Sequence, residues 1–118
     1  MCKYVVVRTQ YEGIHRYKDA PEQVKFLRDY HRHIFNVEAK LEVFHNDREL
    51  EFIMIKQAIN TYFDTFMNEF DVYEMGDQSC EMIAENLIKF LKIKYGKRKV
   101  IVSVFEDNEN GAIVEGEN

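Results

Sequence analysis

The clearest periodicity in the chain lies between His31 and Val43, where nearly every second residue is apolar or a histidine. Odd-numbered positions in this stretch carry His, His, Phe, Val, Ala, Leu and Val. Even-numbered positions carry Arg, Asn, Glu, Lys and Glu, with Ile34 as the one apolar exception. Alternation with a period of two is typical of a strand that is buried on one face. We therefore predict a long half-buried strand over residues 31–43.

Strands are also predicted near both ends of the chain. Residues 3–16 begin with β-branched and aromatic residues, which favour a strand, and Gly13 predicts a bend in it. Residues 17–29 are charged and include Pro21, so they predict a loop that can hold a helical turn. The C-terminal part predicts a strand over 99–106, a turn over 108–111 and a short strand over 112–114.

Two segments between these strands have helical spacing. Apolar residues recur every three or four positions at Ile55, Ile59, Phe63 and Phe66, and again at Ile83, Leu87, Phe90 and Leu91. This spacing predicts amphipathic helices over 52–67 and 81–95, the second capped by Ser79 or Asp77 and ended by Gly96. The order ββααββ favours an α+β fold, in which a four-stranded antiparallel sheet carries both helices on one face.

The composition limits the classes of function. The 118 residues fit one domain spanning the whole chain, and a hydrophobic content of 46% allows a packed core. A net charge of -5, with no basic cluster, argues against a nucleic-acid partner. The first ten residues do not have the pattern of a signal peptide, and no apolar run approaches about 20 residues, so we expect a cytoplasmic protein with no membrane contact. Cys2 and Cys80 are too far apart in sequence to suggest a cysteine-based zinc site.

Three histidines form the strongest candidate site. His31 and His33 are separated by two residues on one strand, so their side chains point to the same side, about 7 Å apart. His15 lies near the end of the first strand, which a hairpin-like return would bring beside the start of the second. Three histidines on one metal leave a fourth position open, as in catalytic zinc centres. We predict one zinc ion bound by His15, His31 and His33.

Five short motifs follow one another along the chain. They are Tyr11-Glu-Gly-Ile-His15-Arg16, His31-Arg32-His33, Glu51-Phe52-Ile-Met-Ile55-Lys56, Met82-Ile83-Ala84-Glu85-Asn86-Leu87 and Val102-Ser-Val104-Phe-Glu106. Together with the ββααββ order, they resemble the 6-pyruvoyl-tetrahydropterin synthase and 6-carboxytetrahydropterin synthase family over nearly the whole chain. The matching family patterns are aromatic-x-x-x-His-Arg, His-Gly-His, Asp-Phe-x-x-Leu-Lys, Pro-Thr-Ala-Glu-Asn-Leu and a strand that ends in glutamate.

The resemblance implies a fold, an assembly and an activity. The fold would be the tunnelling fold, in which ββααββ subunits join edge to edge into rings. A homo-oligomer, either a trimer or a hexamer, would have its active sites at subunit interfaces. The activity would be that of a zinc-dependent lyase acting on 7,8-dihydroneopterin triphosphate or a related pterin. Such enzymes serve tetrahydropterin or queuosine-precursor synthesis. Glu106 would hold the pterin by charge-assisted hydrogen bonds. Ile83 stands where the family's second-helix motif has its threonine, and it would also contact the substrate.

The chain departs from the family pattern at its catalytic positions. The family has a cysteine four residues before the first histidine of His-Gly-His, and this position is Leu27 here. An Asp-His pair after the family's first helix falls on Asp64 and Thr65, so its histidine is missing. If turnover persists, another group must accept the proton, and the candidates are Asp29, Glu22 and Cys80, with Asp64 retained from the pair.

Two other functions are compatible with these departures. The chain could bind a pterin or purine-like ligand without turnover, with Arg32 meeting a phosphate tail and Arg16 and Arg28 nearby in sequence. An enzyme would release an altered product, whereas a binding protein would return the ligand unchanged. A structural assembly protein with vestigial histidines is the third alternative. It would form its oligomer equally well after all three histidines were replaced.

Overall fold

The computed structural model of the chain describes residues 1–116, which form an α+β fold with one sheet and one hydrophobic core. This confirms the predicted fold class. The strands are β1 (Lys3–His15), β2 (His31–Val43), β3 (Tyr73–Glu74), β4 (Val100–Glu106) and β5 (Asn110–Gly116), and the helices are a 3-10 helix (Glu22–Arg28), α1 (Phe52–Asp64) and α2 (Cys80–Tyr95).

The sheet is mixed and five-stranded, so the predicted four-stranded antiparallel sheet is wrong in this respect. Its order is β3-β1-β2-β4-β5, and only β3 runs parallel to its neighbour, pairing Tyr73 with Gly13 of β1. A Cβ atom at Gly13 would lie 2.7 Å from the Tyr73 carbonyl oxygen. The glycine therefore permits the segment after α1 to return along the edge of β1. Two paired residues are too few to produce a recognisable hydrophobic period.

The core lies between one face of the sheet and the two α-helices. Alternate residues of β2 are buried as predicted, and they pack with the buried stripes of α1 and α2. Phe63 of α1 is fully buried, and its ring centroid lies 4.2 Å from that of Tyr11 in β1. The same sheet face continues past Phe35 to His33 and His31. The predicted alternation thus carries the histidines to the end of the core-facing surface.

The observed ends of α2 are closer to the predicted ends than those of α1. The Ser79 hydroxyl accepts a hydrogen bond from the Met82 amide, and Gly96 ends α2 with a φ of 83°. The first helix stops at Asp64 instead of residue 67, because Thr65 forms its C-cap and the following residues turn back. Within the described residues, neither α-helix is long and apolar enough to cross a membrane.

Candidate metal centre

The pairing of β1 with β2 brings the three histidines together. His15 is directly opposite His31, and Gly13 is opposite His33. The ring centroid of His15 lies 4.6 Å from that of His31 and 5.3 Å from that of His33. One nitrogen from each of the three rings lies within 4.8 Å of the others. The predicted hairpin-like return is confirmed, and it creates a cluster of the size that a single metal ion requires.

Backbone carbonyls orient two of the three rings. His15 Nδ1–H donates to the Gln78 carbonyl oxygen over 2.8 Å, and His31 Nδ1–H donates to the Asp29 carbonyl oxygen over 2.9 Å. Because a carbonyl can only accept, each Nδ1 carries the proton, and in the neutral ring Nε2 keeps its lone pair. Metal-binding histidines are usually held in this way, with the second nitrogen donating to an outer acceptor.

A carboxylate orients the third ring. His33 Nδ1–H donates to Asp107 Oδ2 over 2.7 Å, while Asp107 Oδ1 accepts a hydrogen bond from the Ile34 amide over 2.9 Å. These two bonds, the amide first, lower the pKa of the Asp107 carboxyl. Asp107 has a φ of 53° in the turn between β4 and β5. The sequence motifs did not point to Asp107, although its place directly after the strand-ending glutamate is a usable signal.

Replacing Asp107 by asparagine is expected to weaken zinc binding about 10- to 100-fold, the usual cost of losing an outer carboxylate partner. The amide retains the size of the side chain but supplies a weaker acceptor for His33. Zinc affinity, measured by competition with a chelator, checks this result. Glu109→Gln is the matched control, because Glu109 is exposed in the same turn. Equal affinity of Asp107→Asn and the wild type would contradict the role given to Asp107.

The buried nitrogen of His15 has the chemistry of a metal ligand. The residue is 7% exposed, and its Nε2 atom is fully buried without a hydrogen-bond partner among residues 1–116. Burial lowers the pKa of the His15 imidazole, since desolvation disfavours the charged ring. A neutral, buried and unpartnered nitrogen is unfavourable by itself. A metal ion at the centre of the cluster would satisfy it, so the residues present fit the predicted zinc.

A cavity of about 550 Å³ opens beside the histidines. His15 and His31 form one part of its wall, and Glu106 at the end of β4 lies next to them. The first turn of α2 and Leu27 close the other side. Leu27, the position at which the resembling family has a cysteine, therefore contacts the same space as the histidines. The volume is in the usual range for small-molecule sites.

The carboxylates predicted as proton acceptors do not line this cavity. The backbone carbonyl of Asp29 accepts a hydrogen bond from His31, but Asp29 itself is exposed to solvent. The Glu22 side chain is 74% exposed and pairs with Arg28 over 3.4 Å. Asp64, at the end of α1, accepts a hydrogen bond from the Tyr73 hydroxyl over 3.3 Å. Among the carboxylates predicted to belong to the site, Glu106 is the one that lies beside the histidines.

Arg32 and Ile83 are not brought to the cavity either. Arg32 lies between the two histidines on β2, so strand alternation turns it to the opposite face, where it pairs with Glu12 over 2.7 Å. Within one subunit, Arg32 therefore does not reach the cavity, and its predicted contact with substrate is not formed there. Ile83 is 2% exposed and packs in the core. Arg16 does line the cavity, where it pairs with Asp77 over 2.8 Å.

Cys80, at the start of α2, lines the cavity and is buried. Burial, together with the nearby Glu106 carboxylate, raises the pKa of the Cys80 thiol to about 12. The thiol therefore keeps its proton near neutral pH and does not replace the family cysteine as a proton acceptor. It can still donate a weak hydrogen bond to a neighbouring oxygen.

In comparisons with known proteins, no family model matches the chain, and no well-characterised protein matches it significantly in sequence.

Proposed function

We propose that the chain is a zinc-dependent lyase of the 6-pyruvoyl-tetrahydropterin synthase and 6-carboxytetrahydropterin synthase family. Its substrate would be 7,8-dihydroneopterin triphosphate or a related pterin, in tetrahydropterin or queuosine-precursor synthesis. One observation carries the proposal. The nitrogens of His15, His31 and His33 converge within 4.8 Å while an acceptor occupies the Nδ1 atom of each ring.

The donor set favours zinc over harder ions. Three imidazole nitrogens suit zinc, whereas magnesium and calcium prefer oxygen ligands. When bound, zinc would lower the pKa of a coordinated substrate hydroxyl and polarise a neighbouring carbonyl. The chain's own contribution is to orient the three rings and to surround them with a cavity. A pterin ring placed there would meet Glu106, whose carboxylate can accept hydrogen bonds from its N–H groups.

A second candidate function is ligand binding without turnover. Leu27 lines the cavity at the position where the family has its catalytic cysteine, and a leucine side chain cannot transfer a proton. Glu22 and Asp29 lie outside the cavity, so they do not compensate within one subunit. The metal-binding geometry is the same for both functions, and they differ only in whether the bound pterin is changed.

The proposal includes a homo-oligomer with the tunnelling fold. Two features of the sheet support it. β5 is the last strand on one side, and on the other side β3 covers β1 only along Gly13 and Ile14. Both sheet edges therefore present backbone donors and acceptors that another strand can pair with. Edge-to-edge joining of subunits into a trimer or hexamer would satisfy these groups.

The test is turnover of 7,8-dihydroneopterin triphosphate by the zinc-loaded protein, followed by mass spectrometry. Loss of triphosphate or acetaldehyde from the substrate is expected for the lyase. Unchanged pterin that co-elutes with the protein would support the second candidate instead. Absence of both turnover and co-elution would overturn both.

The variant Leu27→Cys separates the two candidates further. It restores the family cysteine at a position that already lines the cavity. If the leucine at position 27 limits turnover, this variant will form product faster than the wild type while binding zinc equally well.

A further inference from the structure

The carboxylate of Glu106 lies unusually close to two of the histidine nitrogens. Its Oε2 atom is 2.9 Å from His15 Nε2 and 3.7 Å from His33 Nε2. The shorter contact lacks hydrogen-bond geometry, since His15 Nε2 has no hydrogen-bond partner within residues 1–116. The contact therefore cannot be explained as a donor meeting an acceptor.

The hydrogen bonds made by Nδ1 of His15 and His33 leave the Nε2 atoms that face Glu106 without a proton. Because Nδ1 of His15 donates to the Gln78 carbonyl, Nε2 of the neutral ring offers a lone pair. The same holds for His33, whose Nδ1 donates to Asp107. A carboxylate oxygen also offers only lone pairs. Such atoms repel one another at 2.9 Å unless a cation lies between or beside them.

We propose that Glu106 is a fourth protein ligand of the metal ion, through Oε2, when no substrate is bound. This inference rests on the proposed zinc site and changes its coordination from three histidines to three histidines and one carboxylate. Glu106 can take this role, because its one side-chain hydrogen-bond partner within the described residues is the Cys80 thiol, which is a weak donor.

The distances from Glu106 to His15 and His33 are near those expected for tetrahedral zinc. With metal–ligand bonds of about 2.0–2.2 Å, neighbouring ligand atoms in a tetrahedron lie roughly 3.3–3.6 Å apart. The two distances from Glu106 Oε2, 2.9 Å and 3.7 Å, lie on either side of this range. Glu106 has no contact with His31 within 4.0 Å, so its side chain would turn toward that ring when the metal binds.

The pairing of β4 with β2 positions this ligand. Glu106 is opposite Phe35, so its side chain shares the core-facing side of the sheet with His33, two residues along β2. The residue is the last of its strand and lines the cavity. Its carboxylate can therefore turn toward the histidines or toward the open space where a ligand would bind.

This arrangement links substrate binding to metal coordination. A carboxylate on the metal reduces the net charge of the centre and occupies the position that a substrate hydroxyl would take. A ligand that offers both an oxygen for the metal and N–H groups for a carboxylate would displace Glu106 and then be held by it. A pterin with a hydroxylated side chain belongs to that chemical class, whereas a pterin without the side chain does not.

The test compares Glu106→Gln with the wild type in zinc affinity and in the visible spectrum of the cobalt-loaded protein, without pterin. A carboxamide is a poor zinc ligand, so we expect zinc affinity to fall at least about 100-fold, beyond the usual loss for an outer partner. The cobalt spectrum should also change, because one ligand atom is replaced. Glu81→Gln is the matched control, since Glu81 lines the same cavity without contacting a histidine.

The outcomes separate this inference from the proposed function. If Glu106→Gln binds zinc as tightly as the wild type and gives the same cobalt spectrum, Glu106 is not a ligand, although the histidine site stands. If the wild type itself binds no zinc, the proposed metal site fails and this inference fails with it. Circular dichroism verifies folding, and Glu106→Asp provides a second variant, whose shortened carboxylate should also lower the affinity and change the spectrum.

Discussion

Replacing His15 by alanine is expected to lower zinc affinity by about two to three orders of magnitude. Zinc sites with four protein ligands bind with about 10–16 kcal/mol, so each ligand contributes roughly 2.5–4 kcal/mol, and every 1.4 kcal/mol is a factor of ten. His15 should lie near the upper end, because its ring is the most buried of the three. Competition titration with a chelator measures the change.

His45→Ala is the matched control for this variant. His45 lies beyond the far end of β2, and 60% of its side chain is exposed. Its nearest carboxylate partner is Glu49, at 3.9 Å. The variant should bind zinc with the same affinity as the wild type. Similar affinities for His15→Ala and His45→Ala would show that the histidine cluster does not hold the metal.

Replacing Phe63 by alanine is expected to reduce the free energy of unfolding by about 3–5 kcal/mol, which lowers Tm by roughly 10–20 °C. The side chain is fully buried on α1 and packs against Tyr11 of β1, with a tilted ring contact at 4.2 Å. Removing it leaves a cavity between the helix and the sheet that the surrounding residues can fill only in part. Thermal unfolding of the metal-free protein measures the effect.

Phe70→Ala is the control, because it deletes the same ring at a position that is 75% exposed. A surface substitution of this kind should change the stability by less than about 0.5 kcal/mol. If Phe63→Ala were as stable as Phe70→Ala, the described packing of α1 on the sheet would be contradicted.

Periodicity predicted much of the fold because most of its elements are long and half-buried. The alternation from His31 to Val43 gives both the length of β2 and the face that is buried. The spacing of apolar residues likewise gives both α-helices. The end of α1 was misplaced, since Phe66 continues the apolar stripe although the chain has already turned at Thr65. β3 was missed because a two-residue strand is set by contact with Gly13 and not by its own pattern.

The sequence predicted those parts of the candidate site that lie on a single strand. It did not predict the contacts that depend on how strands pair with one another. His31 and His33 share a side by alternation alone, and the same rule excludes Arg32, which had been a candidate for contact with a phosphate tail. The contact between Glu106 and His15 requires the register of β4 on β2, which a single sequence does not specify. Asp107 has a left-handed backbone conformation in its turn, and this conformation lets its side chain reach back to His33. The sequence alone does not specify this geometry.

The most direct measurement of the central claim is X-ray absorption at the zinc edge of the protein loaded with one zinc ion. We expect a first shell of nitrogen and oxygen at about 2.0–2.2 Å, with the outer scattering typical of imidazole rings and no sulfur. The histidine cluster makes this prediction because its three nitrogens lie within 4.8 Å of one another and the group does not include Cys80. A sulfur ligand at about 2.3 Å, or zinc that is lost completely on dialysis, would contradict the account.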